Sequence, residues 1–338
     1  MARMGKRATR VGCDGESAPS TDLVDAVEIH PHDKIAAWRE KLKKDWLFDA
    51  PDEFFAIHSL AAHLNHSNPS RAFVEALSME LTGPFDVLSA AWTHLDFPTH
   101  EYLHGRCYYD PPEVITVARS DSMSFGYFRD DPSDVPKYVV KGRESSGSFD
   151  FVHECFAHVL FDRLEGATKP HPHLTTIRAF LTTQYGCCVA PASTPKHKRQ
   201  KTSTSSLASR ESCQCRRRAE QVAPTLSGLG IVVPVHAISR IGFRDLPVTH
   251  SKLRKLLEAP TRDKAVDDLI TRATIACDEC DFGTALQLGL DLWTQGAKFE
   301  VEAVALLESA YMMLRRIPFG VLARRHVEHR RLPSSPSK

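Results

Sequence analysis

Three consecutive segments toward the C-terminal end repeat apolar residues at helical spacing. Val266, Leu269/Ile270, Ala273 and Ala276/Cys277 recur at i, i+3/4, i+7 and i+10/11. Phe282, Leu286, Leu290 and Trp293 do the same, as do Val304, Leu307, Tyr311 and Leu314. At about 3.6 residues per turn each set falls on one face of a helix, and that face must be buried. The spacing predicts a mainly helical C-terminal part. Pro318 breaks the third pattern, and a basic helix near Val321–Arg331 follows.

Upstream the period changes. Tyr108-Tyr109, Val114-Ile-Thr-Val117, Phe125-Gly-Tyr-Phe128 and Tyr138-Val-Val140 are β-rich runs separated by Asp-Pro-Pro, Ser-Asp-Ser and Asp-Asp-Pro-Ser-Asp turns. They predict a small, mostly antiparallel sheet, with residues 149–165 as a helix closing it. Before the sheet, Trp38, Leu42, Trp46 and Leu47 predict one helix. Pro51-Asp-Glu-Phe-Phe55 starts another, with Pro early and acids in the first turn, and Gly83-Pro84 marks a turn. Residues 190–226 are rich in Ser, Thr and basic residues and read as a linker or loop, after which Gly230-Ile-Val-Val-Pro-Val235 restarts order as a short strand. The expected fold class is α+β: a disordered basic N-terminus (1–30), an α+β N-terminal domain with a small mostly antiparallel sheet (31–189), a basic linker (190–226), a mainly α-helical C-terminal domain (227–331) and a disordered tail (332–338).

The formal net charge of +1 conceals an asymmetry. Residues 1–10 carry +4, residues 196–218 +7 and residues 315–338 +6, which leaves −16 on the rest. This excludes a uniformly basic nucleic-acid binder and a uniformly acidic solvating chain. No apolar run approaches the roughly 18 residues of a membrane span, and the charged start has no apolar stretch of a secretory signal behind it. Nine scattered cysteines point to a reducing compartment rather than a disulfide scaffold. Lys196-His-Lys-Arg-Gln-Lys201 with Arg216-Arg-Arg218 reads either as a nuclear import signal or as a solvated basic loop.

Several motifs invite a chemical reading. His153-Glu-Cys-Phe-Ala-His158 places its histidines five apart, about 140° around a helix, so they cannot share a metal ion as histidines four apart do; they read as partly exposed structural residues. Cys277-Asp-Glu-Cys280 has CxxC spacing but no second ligand pair, and the acids beside it disfavour the thiolate. Asp278, Glu279 and Asp281 cluster where one amphipathic helix ends and the next begins, with Gly283 suiting a boundary or a close backbone approach. A helix N-terminus there would offer them positive potential, and a carboxylate so placed can act as a general base or simply cap the helix. Ile241-Gly-Phe-Arg-Asp-Leu-Pro247 sets Phe243 beside Arg244, either a protein-binding anchor or a core ring next to a surface charge.

The ordered words Tyr108-Tyr-Asp-Pro-Pro-Glu113, Gly126-Tyr-Phe-Arg-Asp130 with Val135-Pro-Lys-Tyr-Val139, Gly230-Ile-Val-Val-Pro-Val235, Gly242-Phe-Arg-Asp-Leu-Pro247, Asp278-Glu-Cys-Asp-Phe-Gly283 and Leu288-Gly-Leu-Asp-Leu292 resemble those of the histone PARylation factor family. Pro51-Asp-Glu-Phe-Phe55 and Leu81-Thr-Gly-Pro-Phe-Asp-Val-Leu88 extend the resemblance, which runs from about Trp46 to Arg325. It implies an accessory factor, inactive alone, that binds the catalytic domain of DNA-damage-activated poly(ADP-ribose) polymerases, completes their active site and directs ADP-ribosylation to serine on histones and on the polymerase. Glu279 matches the family's essential glutamate, the base that takes the proton of the acceptor serine. Phe243 and Arg244 match a tyrosine-arginine pair needed for partner binding, and Asp278 matches a neighbouring acid at the same interface. Phe243 keeps the ring and lacks the hydroxyl, so a hydrogen bond through that hydroxyl, worth about 0.5–1.5 kcal/mol, is lost. Asp281 and Gly283 are candidate supporting residues. The resemblance further implies a monomer in the nucleus, on chromosomes at sites of DNA damage, with no metal, no membrane contact and no cofactor of its own; NAD is held by the polymerase. The residues alone leave two other readings: a stand-alone hydrolase of ADP-ribosyl bonds using Asp278, Glu279 and Asp281, and a chromatin-binding module using the basic segments.

Overall fold

The structure, a computed structural model, describes residues 27–89, 100–186 and 204–330. It is an α+β fold. Helices α1 (His32–Trp46) and α2 (Asp52–Leu64) come first, α2 entered through Pro51 with Asp52 and Glu53 in its first turn. The expected disordered N-terminus is corrected at its end. Val27 is buried, the His30 N–H donates to Ser59 Oγ at 3.2 Å, and its ring Nε2 lies 3.0 Å from His58 Nδ1 on α2. Residues 1–26 and 331–338 lie outside the described residues.

After a short helix, α3 (Val74–Leu77), come β1 (Glu80–Leu81), β2 (Val114–Ser120), β3 (Met123–Phe128), β4 (Tyr138–Arg143) and β5 (Ser146–His153). They pair antiparallel in chain order, a simple meander. Alternate side chains of a strand point to opposite faces. Here Ile115, Val117, Phe125, Tyr127, Val139 and Val152 pack on the N-terminal helices, while Val114, Phe128, Tyr138, Val140, Phe149 and Phe151 form a separate core on the other face. Two readings fail here. Tyr108-Tyr109 lies in a turn, and residues 149–153 belong to β5, the helix starting only at α4 (Phe156–Glu165). Glu53 sets that start: its carboxylate accepts the Phe156 and Ala157 N–H groups at 2.9 and 3.3 Å, capping α4 from another helix. α5 (His173–Tyr185) completes this side.

The second face of the sheet corrects the linker reading. Residues 187–203 lie outside the described residues, but Thr204–Glu220 is a helix, α6, laid against β5. Cys213 enters the second sheet core. Arg217, its side chain 2% exposed, forms a two-pronged ion pair with Asp130 at 2.6 and 2.9 Å, donates to the Leu229 carbonyl at 2.9 Å, and lies over the rings of Phe128 and Phe151. Composition misled because the basic residues of this segment are not all solvated.

Residues 221–235 are irregular, with a turn in which the Gly228 N–H donates to the Thr225 carbonyl at 3.0 Å. Only Ala223 and Ile231 pair as a bridge, so the expected strand over 230–235 is absent. Then come α7 (His250–Glu258), α8 (Lys264–Asp278), α9 (Phe282–Trp293), α10 (Glu300–Met313) and α11 (Ile317–His329). The three periodic faces are those of α8, α9 and α10, which share one core. The last helix follows as expected but begins ahead of Pro318, which sits in the first turn of α11, where a missing N–H costs nothing. The C-terminal part is fastened to the sheet and the turn before it by Trp293 Nε1–H donating to the Tyr109 carbonyl (3.2 Å), the Tyr311 hydroxyl to buried Glu113, and the Phe149 N–H of β5 to the Ser227 carbonyl (2.7 Å). No described helix is long and apolar enough to cross a membrane.

Candidate functional site

The acidic cluster sits in the reversal between α8 and α9. α8 ends in two tightening bonds, Cys280 N–H to the Cys277 carbonyl (3.1 Å) and Asp281 N–H to the Ala276 carbonyl (2.8 Å), with Cys280 left-handed at φ 69°. This is a Schellman stop with cysteine where glycine is usual. It corrects the expected electrostatics. Asp278 and Glu279 lie at the C-terminal, negative end of α8, and only Asp281 stands at the start of α9. Asp281 does not cap α9 with its side chain either.

The positive charge comes instead from Arg244. Its Nη2 lies 2.7 Å from Glu279 Oε2 and 2.8 Å from Asp281 Oδ2. The Glu279 hydrogen bond and charge, followed by Asp281, push the Arg244 guanidinium further above its ordinary range. Arg244 and Glu279 are about half exposed while Asp281 is 6% exposed, so a partner can reach Glu279 but not the acid that anchors the arginine.

The loop holding Arg244 is stitched to the first turn of α9. The Gly242 N–H donates to Asp281 Oδ1 (2.9 Å), and the Gly283 N–H donates to the Gly242 carbonyl (2.9 Å). Thr284 Oγ1 accepts from the Arg244 N–H (2.9 Å) and donates to its carbonyl (2.7 Å). Gly242 has φ +124°, and a Cβ there would lie 2.2 Å from the Pro234 carbonyl oxygen. Gly283 is equally confined: a Cβ would meet Val233 Cγ2 at 2.7 Å and the Gly242 oxygen at 2.9 Å. Glycine is required at both for the close approach that brings Arg244 to Glu279.

All six sequence candidates therefore meet at one corner. Phe243 is half-buried against the helical core while Arg244 is exposed, so the pair divides between packing and surface. Asp278 is exposed on the last turn of α8. Thr284 and Gly242 were not singled out beforehand; Thr284 carries no sequence signal, and Gly242 shows its constraint only once Pro234 is placed. The CxxC pair splits into buried Cys277, its thiol pushed up by burial and then by Asp278, and exposed Cys280. His153 is buried, not partly exposed, with Nε2 2.8 Å from Asp162 Oδ2. No group of three metal-ligating side chains exists among the described residues. Ahead of the corner, the turn closed by His236 N–H to the Ile241 carbonyl (2.8 Å) carries Ile238 at 89% exposure.

The model of the family described as histone PARylation factor 1 matches residues 37–330. This chain belongs to the histone PARylation factor 1 family. A relative from Bos taurus named histone PARylation factor 1 is 30% identical, with 86% of each chain covered. One of that name from Danio rerio is 28% identical over 98% of this chain and 97% of its own, and one from Mus musculus is 28% identical over 96% of each. The histone PARylation factor 1 match spans both the Arg244 loop and the α8–α9 reversal.

Proposed function

We propose that this chain is a histone PARylation accessory factor that docks on the catalytic domain of a poly(ADP-ribose) polymerase and completes a composite active site for serine, using Glu279 as the base. The supporting observation is the Arg244–Glu279 contact. Two segments far apart in sequence, each matched by resemblance to a different role, share one salt bridge on the surface. Only one carboxylate oxygen of Glu279 is held; among the described residues Oε1 has no partner. A hydroxyl arriving from outside can deliver its proton there while the serine oxygen bonds to the anomeric carbon and the nicotinamide leaves. Serine needs this help because its hydroxyl is a weak nucleophile; an ionised acidic acceptor does not, so one added base changes which residue is modified. NAD is held by the polymerase. Arg244, Phe243 and Asp278 form the docking face, and Asp281 and Gly283 keep the arginine in place. The setting is nuclear chromatin at sites of DNA damage.

The test is a mixture of polymerase, NAD and a histone peptide, read for serine-linked ADP-ribose. Glu279→Ala should abolish serine modification and still bind the polymerase, whereas Arg244→Ala should weaken binding. Intact serine modification with Glu279→Ala would refute the assignment of the base.

A further inference from the structure

The turn carrying Arg106 and Tyr108 faces the C-terminal end of α11 across a pocket of about 290 Å³. Leu103, Arg106, Tyr108, His326, His329 and Arg330 line it, two arginines and two histidines with no carboxylate among them. The charges are built in rather than waving in solvent. Arg106 donates to the carbonyls of Val114 (2.8 Å), Asp110 (3.2 Å) and Pro111 (2.6 Å), and makes no ion pair among the described residues. Carbonyls hold a guanidinium in place without cancelling its charge. The Arg330 side chain is 2% exposed, lies 4.4 Å over the Tyr108 ring and 4.8 Å over that of Trp293, donates to the Tyr108 carbonyl at 3.3 Å, and has one partial counter-charge, Glu300 at 3.2 Å.

Two buried guanidinium nitrogens of these lining residues, Nε of Arg106 and Nε of Arg330, have no partner among the described residues; Nδ1 of His326, which is 4% exposed, is likewise unpartnered there, but on a neutral ring it can only accept. Leaving a buried polar nitrogen unpaired is costly, and more so when it is charged. Burial lowers both the Arg106 guanidinium, against the opposing charges of Asp110 and Glu113, and the His326 imidazole, where Arg106 and Arg330 add to it, so the pocket's charge rests on the two arginines. The end of α11 would oppose an anion, but two of its last carbonyls are engaged, His326 by the Arg330 N–H (2.7 Å) and Arg325 at 2.9 Å from His329 Nδ1.

We propose that this pocket binds a phosphate group. Two guanidiniums held at fixed positions, each with an unpaired Nε, and a lining without a carboxylate are features that a tetrahedral oxyanion can use. At about the lower limit of ligand clefts, the volume suits a single phosphate or the end of a phosphate ester rather than a groove tracking a strand. The source is either free phosphate or the diphosphate of an ADP-ribose unit.

The full chain is titrated with inorganic phosphate and, separately, with ADP-ribose, by calorimetry and by NMR of the histidine rings. One-to-one saturable binding that shifts the His326 and His329 ring signals is expected. ADP-ribose binding at least tenfold tighter than phosphate assigns the diphosphate source, and equal affinities assign free phosphate. His329→Glu, at an exposed position on the last turn of α11, places a carboxylate at the rim and should weaken binding at least tenfold while thermal melts still show a cooperatively folded chain. Arg218→Ala, far from the pocket, should bind as the wild type does. Failure of both ligands to saturate the wild-type chain, or undiminished binding by His329→Glu, overturns the proposal.

Discussion

Replacing Arg217 tests whether α6 is part of the folded body. The side chain is 2% exposed and holds Asp130, 24% exposed, through two bonds, the backbone of Leu229 through a third, and two aromatic rings through its flat face. Breaking a buried ion pair from one side costs about 3–5 kcal/mol, chiefly because the partner charge is stranded. In Arg217→Ala the stranded group is Asp130, which water reaches in part, so the lower end of the range applies, about 3 kcal/mol. In Asp130→Ala the stranded group is the buried guanidinium, left with carbonyls alone, and about 4 kcal/mol is expected. At about 2 °C per kcal/mol for a chain of this size, the melting temperature should fall by roughly 6–8 °C. Arg218→Ala, one residue on and exposed, should change stability by less than about 0.5 kcal/mol. Thermal melts by circular dichroism measure all three, and amide exchange should show α6 opening first in Arg217→Ala. If Arg217→Ala and Arg218→Ala melt alike, the helix is not docked and the linker reading stands.

Three other perturbations follow from the packing. Burial pushes the Asp291 carboxyl up to about 8, from 3.8. Between those values the folded chain keeps a proton the unfolded chain has lost, so this group makes stability fall as pH rises from about 4 to 8, by at most about 1.4 kcal/mol per unit. Asp291→Asn can keep the bond from the Leu226 N–H and should flatten that decline, seen as a stability gain in urea melts at pH 8 that vanishes near pH 4. Glu53→Ala removes the acceptor of the α4 N-terminus and of the Tyr127 hydroxyl, and should lower urea-measured stability by about 2–3 kcal/mol. Gly242→Ala drives a Cβ into the Pro234 carbonyl at a backbone angle alanine avoids, and should cost more than about 2 kcal/mol and speed amide exchange at Arg244.

Where periodicity was complete, the residues disclosed the structure. The faces of α8, α9 and α10 and the core of β2 to β4 follow from spacing, because each element buries a side that its own residues declare. α6 was hidden because it is anchored by an arginine and a cysteine rather than by an aliphatic stripe, and a buried Arg217 looks like a solvated one until Asp130 is placed beside it. The site was half legible. The residues showed an acidic turn and an aromatic–arginine pair, and resemblance gave each a role, but neither revealed that Arg244 bridges Glu279 and Asp281. That contact depends on Gly242 meeting Pro234 and on Thr284 gripping a backbone, which are properties of three dimensions.

The burial of both sheet faces has a temporal consequence. A ribosome completes the meander at His153, while its second cover, α6 and the segment to Ile231, is still unmade. At roughly 5–20 residues per second, that cover follows about 4–16 s later. During this interval Phe128, Tyr138, Val140, Phe149 and Phe151 form a bare apolar surface on a nascent chain. Substitutions that weaken α6 docking, Arg217→Ala foremost, should therefore lower the yield of soluble protein from a translating cell more than the loss in equilibrium stability accounts for.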